Sequence, residues 1–110
     1  MAKKTSLVSS KRLQELIQEG IVDCYGVDEE YSGLMTMLED ELEFPFEALV
    51  VGEKVKVTAL EWGEGGYGLR FVCQRRKKNY CIDATSIEWA VQLPEGYEWV
   101  EAYYVWRKTI

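Results

Sequence analysis

Histidine is missing from the whole sequence of 110 residues. Histidine is the commonest general base, the commonest ligand of transition metals and a partner in Ser-His and Cys-His catalytic pairs, so its absence removes these arrangements together. Paired carboxylates can hydrolyse glycosides, but nothing in this sequence separates one acid from its neighbours in pKa, as that chemistry requires. We therefore predict no catalytic residues and expect that the protein is not an enzyme.

Cysteine is sparse, and the sequence also lacks long apolar runs. Cys24, Cys73 and Cys81 are an odd number without a CxxC pair, which argues against a disulfide framework and against a zinc knuckle. No apolar run approaches the roughly 20 residues of a membrane span, and no apolar stretch of a secretory signal follows the first two lysines. We expect a cytoplasmic protein with no membrane among its partners.

Lysine and arginine are absent between Leu13 and Glu53, a segment that carries twelve acidic residues. The remainder of the chain carries seven acidic residues against thirteen basic ones, and the net charge is −6. Such asymmetry costs self-repulsion in the compact state, so a cation or a basic partner is a reasonable compensator. The simpler alternative is a solvated acidic surface.

Apolar spacing predicts two helices in the first half of the chain. Ser10 can cap the first helix, which we expect to end near Tyr25 and Gly26. The second helix begins at or just before Asp28, and Pro45 ends it. Its apolar residues recur at helical spacing and form one stripe: Tyr31, Leu34, Met35, Leu38 and Leu42.

The pattern then changes to short strands, over residues 48–51, 54–62, 67–74 and 80–85, with turn residues between them. After Pro94 a last helix is expected, with Trp99 and Trp106 on one face. We predict a single α+β domain over residues 1–110. It consists of two N-terminal helices, an antiparallel meander of about four strands that can curl into a small SH3-like barrel, and a C-terminal helix.

The two ends of the second helix carry acidic residues that differ in what they indicate. At its N-terminus, residues 28–30 (Asp28, Glu29 and Glu30) are favoured by capping and by the helix dipole, so they require no functional explanation. At its C-terminus stand Glu39, Asp40, Glu41 and Glu43, where the dipole disfavours each negative charge by roughly 0.3 to 1 kcal/mol. The second group is therefore contrary to the usual preference for basic residues at the C-terminus of a helix.

Helical geometry places Glu39, Asp40 and, if the helix extends that far, Glu43 on one flank. Like charges at this spacing lie roughly 5 to 6 Å apart between Cβ atoms, and a bound cation would reverse their repulsion. Carboxylate oxygens and the free carbonyls of a last helical turn suit calcium, whereas zinc prefers His or Cys. The sequence has no DxDxDG loop, so this is not an EF-hand.

Several segments of the sequence resemble the CcbP-type calcium-binding proteins, a family of small acidic bacterial proteins. The resemblance lies in IVDCYG at residues 21–26, YSGLMTMLEDEL at 31–42, PF at 45–46, VGE at 51–53 and the ending from residue 95 to Trp106. It implies calcium binding without an EF-hand, and Glu39 and Asp40 match the acidic pair that follows an apolar helix in that family. Residues 62–78 depart most from the pattern.

The favoured prediction is a calcium buffer or sensor, with Glu39, Asp40 and Glu43 as its primary site. Asp28, Glu29 and Glu30 form a weaker second patch. A rival from another class is an acidic protein-interaction module whose charged helical half docks on a basic partner. Nucleic-acid binding through the basic run at residues 75–78 is disfavoured by the overall charge, and an exposed hairpin tip explains that run more simply.

Overall fold

The computed structural model describes residues 8–63, 66–90 and 92–110. Its elements are three helices, α1 (Ser10–Gly20), α2 (Val27–Glu41) and α3 (Tyr97–Arg107), five strands, β1 (Phe46–Val50), β2 (Glu53–Trp62), β3 (Leu69–Arg75), β4 (Lys78–Asp83) and β5 (Glu88–Trp89), and a short 3-10 helix, Ala84–Ser86. The predicted α+β class is confirmed, with two N-terminal helices, an antiparallel sheet and a C-terminal helix. No helix in these ranges is long and apolar enough to cross a membrane.

The chain divides into two compact units. The first contains Met1–Glu41 and Gly96–Ile110, and therefore all three long helices, whereas the second contains Leu42–Glu95, and therefore the sheet. The single domain expected over residues 1–110 stays a prediction.

Helix α1 is shorter than its sequence predicts. The Ser9 side chain accepts a hydrogen bond from the backbone N–H of Arg12, but the helix ends at Gly20 rather than near Tyr25. The reason is a close approach of α2, because a Cβ atom built at Gly33 would lie only 2.3 Å from the carbonyl oxygen of Gly20. Beyond this contact the chain turns through Asp23, whose φ of 61° is in the left-handed region.

Helix α3 packs against α1 and α2 in the first unit. The expected buried face is present, since Trp99, Ala102, Tyr103 and Trp106 are all buried. The Trp106 ring stacks on Tyr31 of α2 at a centroid distance of 6.3 Å. At the surface, the Arg12 guanidinium of α1 donates a 2.9 Å hydrogen bond to Glu98 of α3.

The second unit is built on a five-stranded antiparallel sheet in the order β4-β3-β2-β1-β5. Strands β1 to β4 form the predicted meander, whereas β5 was not predicted from the sequence. Strands β4 and β5 are the two edges, so the structure describes an open sheet rather than a hydrogen-bonded closed barrel. On its buried face the rings of Phe46 and Trp89 stack at 5.3 Å, and both pack edge-on against Phe71.

Candidate functional site

The C-terminal end of α2 presents three consecutive carboxylates to solvent. Glu39, Asp40 and Glu41 are all exposed, and the last turn of the helix contains no basic residue. The negative end of the helix dipole and the free carbonyls of this turn add to the negative potential there. This end of α2 is therefore well suited to attract a hard cation.

Glu43 lies beyond α2, because the helix ends at Glu41. The helical angle on which the sequence prediction depended therefore does not apply to Glu43. Its backbone N–H donates a 3.0 Å hydrogen bond to the carbonyl oxygen of Glu95. Together with Glu47 and Glu95, Glu43 lines a cleft of about 440 Å³ in the second unit. No local sequence signal pairs Glu43 with Glu95, since they are far apart in the chain.

The first turn of α2 contains Asp28, Glu29 and Glu30, as predicted. Two of these carboxylates take part in the local structure. Glu29 Oε1 accepts a 2.9 Å hydrogen bond from the backbone N–H of Tyr25, and Glu30 Oε1 accepts one of 2.8 Å from the indole of Trp106. These two groups thus each have one oxygen engaged with the protein.

The two predicted patches stand at opposite ends of one helix. From Glu29 to Asp40 the axial separation is roughly 16 Å at 1.5 Å per residue. A calcium ion binds its ligands at about 2.3 to 2.6 Å, so a single ion cannot contact both patches. The structure therefore separates the predicted residues of α2 into two independent groups.

The donor chemistry of α2 fits a hard cation better than a soft one. Cys24, the nearest sulfur to its N-terminus in sequence, donates a 3.3 Å hydrogen bond to the carbonyl oxygen of Glu29. Desolvation, followed by the charges of Glu29, Glu30 and Asp23, raises the pKa of the Cys24 thiol and keeps it protonated. With a neutral thiol and no histidine, carboxylate oxygens are the available charged donors, and these suit calcium.

The described part of the chain contains no group of three or more His, Cys, Asp or Glu side chains already arranged to hold a metal ion. The acidic residues thus match calcium in chemistry, but their side chains do not form a preassembled shell. Flexible carboxylates on a surface can rotate toward an ion, because calcium accepts six to eight oxygens in variable geometry.

A separate polar cluster lies on the solvent-facing side of the sheet. The Cys81 thiol of β4 donates a 3.1 Å hydrogen bond to Glu61 Oε1 of β2, and the same oxygen lies 3.8 Å from the Arg70 guanidinium of β3. The hydrogen bond to Glu61, then desolvation, raises the pKa of Cys81, and the positive charge of Arg70 opposes this only in part. Cys81 is therefore a poor nucleophile at neutral pH.

The first unit thus consists of three helices, one of which ends in exposed carboxylates, and the second unit is built on a five-stranded antiparallel sheet. The model of the CcbP family, described as calcium binding, matches residues 14–107. The chain therefore belongs to the CcbP family of calcium-binding proteins. This confirms the resemblance of the sequence and calcium as the expected ligand, and it places the chain in a family of calcium-binding proteins rather than of enzymes.

The fold is also that of a solved relative. The crystal structure of Anabaena CcbP matches this chain with a TM-score of 0.73 over 94% of both chains. The sequence identity of this pair is 18%, so the likeness concerns the fold. Among curated proteins no significant match is found.

Proposed function

We propose that this protein is a cytoplasmic calcium buffer or sensor whose ions are held by carboxylates of the acidic helical half. Membership of the CcbP family supports calcium as the ligand. The observation that carries the location is the acidic last turn of α2, where three exposed carboxylates stand against the helix dipole without a basic neighbour in that turn.

Glu39 and Asp40 are the first ligands that we propose for this end of α2. Without a cation, their charges repel each other and the negative end of the dipole, which costs a few tenths of a kcal/mol per pair. A bound divalent ion replaces this repulsion with attraction, and its coordination is completed by carbonyls of the last turn and by water. The grouping of Glu43 with these two residues stays a prediction.

Asp28, Glu29 and Glu30 are proposed as a second and weaker group. Glu29 and Glu30 each have one carboxylate oxygen engaged with Tyr25 or Trp106, and the other oxygen is left for an ion. Calcium accepts monodentate carboxylates, but fewer available oxygens give lower affinity. We therefore expect the C-terminal group of α2 to fill first.

Calorimetric titration of the purified protein with calcium, then with magnesium, tests this proposal. We expect saturable binding of calcium and much weaker binding of magnesium, which releases its water reluctantly and requires octahedral geometry. Equal affinities for the two ions would reduce the acidic surface to diffuse screening. Amide NMR shifts in the same titration separate the two roles, because a buffer changes only near the site and a sensor changes at a distance.

A further inference from the structure

Two hairpin turns project from the same end of the sheet. Val51 and Gly52 connect β1 to β2, whereas Arg76 and Lys77 connect β3 to β4. The first residue of β2, Glu53, forms an ion pair with the last residue of β3, Arg75. The two turns are therefore neighbours at this end of the sheet, separated by two strand spacings, or roughly 10 Å across the strands at about 4.8 Å each.

Each turn has residues that its backbone does not prefer, at the first position of the β1–β2 turn, where Gly52 follows, and at both positions of the β3–β4 turn. Two-residue hairpin turns with positive φ at both positions favour Asn-Gly, because other side chains are strained there. Here φ is 50° at Val51, which is β-branched, and 53° and 68° at Arg76 and Lys77. Backbone strain of this kind is concentrated at functional surfaces. The choice of side chains in both turns is thus not explained by the stability of the turns.

The side chains at this end combine an apolar tip with positive charge. Val51 is 89% exposed, and Lys54, Arg76, Lys77 and Lys78 are exposed as well. Among the described residues, none of these four bases forms an ion pair within 4.0 Å. We refer to these five residues as the basic turn end.

A shallow cleft adjoins the basic turn end. It has a volume of about 340 Å³ and is lined by Arg75, Arg76, Lys78 and Tyr80. Arginine and lysine around a depression of this size are donors that suit a phosphoryl group.

We propose that the basic turn end docks peripherally on a bilayer containing anionic phospholipids. Lysine and arginine near such a surface are attracted by its negative potential, and the phosphoryl groups fit the adjoining cleft. The surface favours a bilayer over nucleic acid, because the aliphatic Val51 is exposed and can enter the interface, whereas Tyr80, the aromatic ring on which a base would stack, is only partly exposed. This proposal departs from the expectation of no membrane partner, which depended on the lack of an apolar membrane span, because a peripheral contact requires no such span. The net charge of −6 is repelled by an anionic bilayer, but salt screens this repulsion for charges further from the bilayer than a Debye length of about 8 to 10 Å.

The test uses flotation of the full chain with vesicles of equal parts phosphatidylglycerol and phosphatidylcholine, beside vesicles of phosphatidylcholine alone. We expect binding to the anionic vesicles only, and weaker binding at high salt. The double variant Arg76→Asn with Lys77→Gly should reduce binding roughly 25-fold, at about fivefold for each base. The same variant should raise the melting temperature, because it creates an Asn-Gly turn.

Val51→Asn is the complementary variant, since Gly52 then completes a second Asn-Gly turn. It should also raise the melting temperature and weaken vesicle binding, although the charge is unchanged. Arg107→Gln with Lys108→Gln is the matched control, because it removes two exposed bases, the last residue of α3 and the residue that follows it, and should leave vesicle binding almost unaltered.

Four results would overturn the proposal. The first is no binding to anionic vesicles at low salt, and the second is an equal loss in both double variants, which would indicate net charge alone. The third is a combination of two observations. Val51→Asn binds vesicles as well as the unchanged protein does, and a single-stranded oligonucleotide binds more tightly than the vesicles do, in a way that depends on Arg76 and Lys77. The fourth is a lower melting temperature in both Asn-Gly variants, which would show that the two turns are not strained.

Discussion

The indole Nε1 of Trp106 donates a 2.8 Å hydrogen bond to Oε1 of Glu30, and thereby connects α3 to the first turn of α2. The Trp106 ring is buried and also stacks on Tyr31. One carboxylate of the second acidic patch is therefore held in place by the helical core. The same group is a structural acceptor and a candidate calcium ligand.

Trp106→Phe should lower the free energy of unfolding by about 2 kcal/mol, because a partly buried hydrogen bond to a charged group is lost while an aromatic ring remains. Glu30→Gln should cost less than half as much, since its amide oxygen can still accept the indole N–H. Urea denaturation of the calcium-free protein measures both values. Equal losses in the two variants would mean that the carboxylate charge, rather than the hydrogen bond, stabilises this contact.

Asp40→Asn should weaken calcium binding tenfold or more, which is about 1.4 kcal/mol, because a hard ion loses an anionic oxygen. The calcium-free protein should become slightly more stable, by a few tenths of a kcal/mol, since repulsion with Glu39 and with the helix dipole is relieved. Calorimetric titration and thermal unfolding measure the two effects, whose signs are opposite.

Glu41→Gln is the matched control for Asp40→Asn, because Glu41 is also exposed, stands next to Asp40 and lies on another flank of the helix. It removes the same charge and should weaken calcium binding far less. Equal losses of affinity in the two variants would show that the summed field attracts calcium, and the ligand assigned to Asp40 would then be wrong.

Calcium should raise the melting temperature of the protein. At a free concentration near one hundred times Kd, one site adds about 2.7 kcal/mol to the free energy of unfolding. Magnesium should produce a much smaller shift, and potassium at matched ionic strength controls for screening of the surface charges. Scanning calorimetry checks this, and equal shifts with all three salts would contradict specific binding.

Alkylation of Cys81 by iodoacetamide should be slower at pH 8 than that of a model thiol. The hydrogen bond to Glu61 raises the pKa of Cys81, so less thiolate is present at a given pH. Glu61→Gln removes the charge and should speed alkylation, whereas Cys73, which is buried, should stay unreactive in both proteins. Mass spectrometry of the labelled peptides measures each rate. An unchanged rate for Cys81 in Glu61→Gln would contradict this role of Glu61.

The helices of the first unit could be predicted from local sequence patterns, but the residues at which they end could not. The apolar stripe of α2 predicts the burial of Tyr31, Leu34 and Leu38, because helical periodicity acts within one turn. The end of α1 depends on the approach of Gly33 to the carbonyl of Gly20, a contact between residues that are distant in sequence. Strand β5 was not predicted because it has only two residues, which are too few to show a periodic pattern.

The acidic character of the candidate site could be predicted from the sequence. Which of its carboxylates are engaged with other parts of the protein could not. The dipole argument distinguishes Asp40 from Asp28 because it depends only on position in a helix. The engagement of Glu30 by Trp106 and the position of Glu43 beside Glu95 depend on tertiary structure. The number of carboxylate oxygens that remain for an ion is therefore set by contacts that no local pattern contains.

Strand β4 is an edge of the sheet, and this has a consequence for how the protein behaves at high concentration. An edge strand offers backbone groups to which a strand of another molecule can add, which is a common start of aggregation. The ends of β4, Lys78 and Asp83, are charged, whereas its middle contains Tyr80, Cys81 and Ile82. Oxidation of the exposed Cys81 would join two such edges covalently. Reducing agent in storage would thus protect the sheet as well as the thiol.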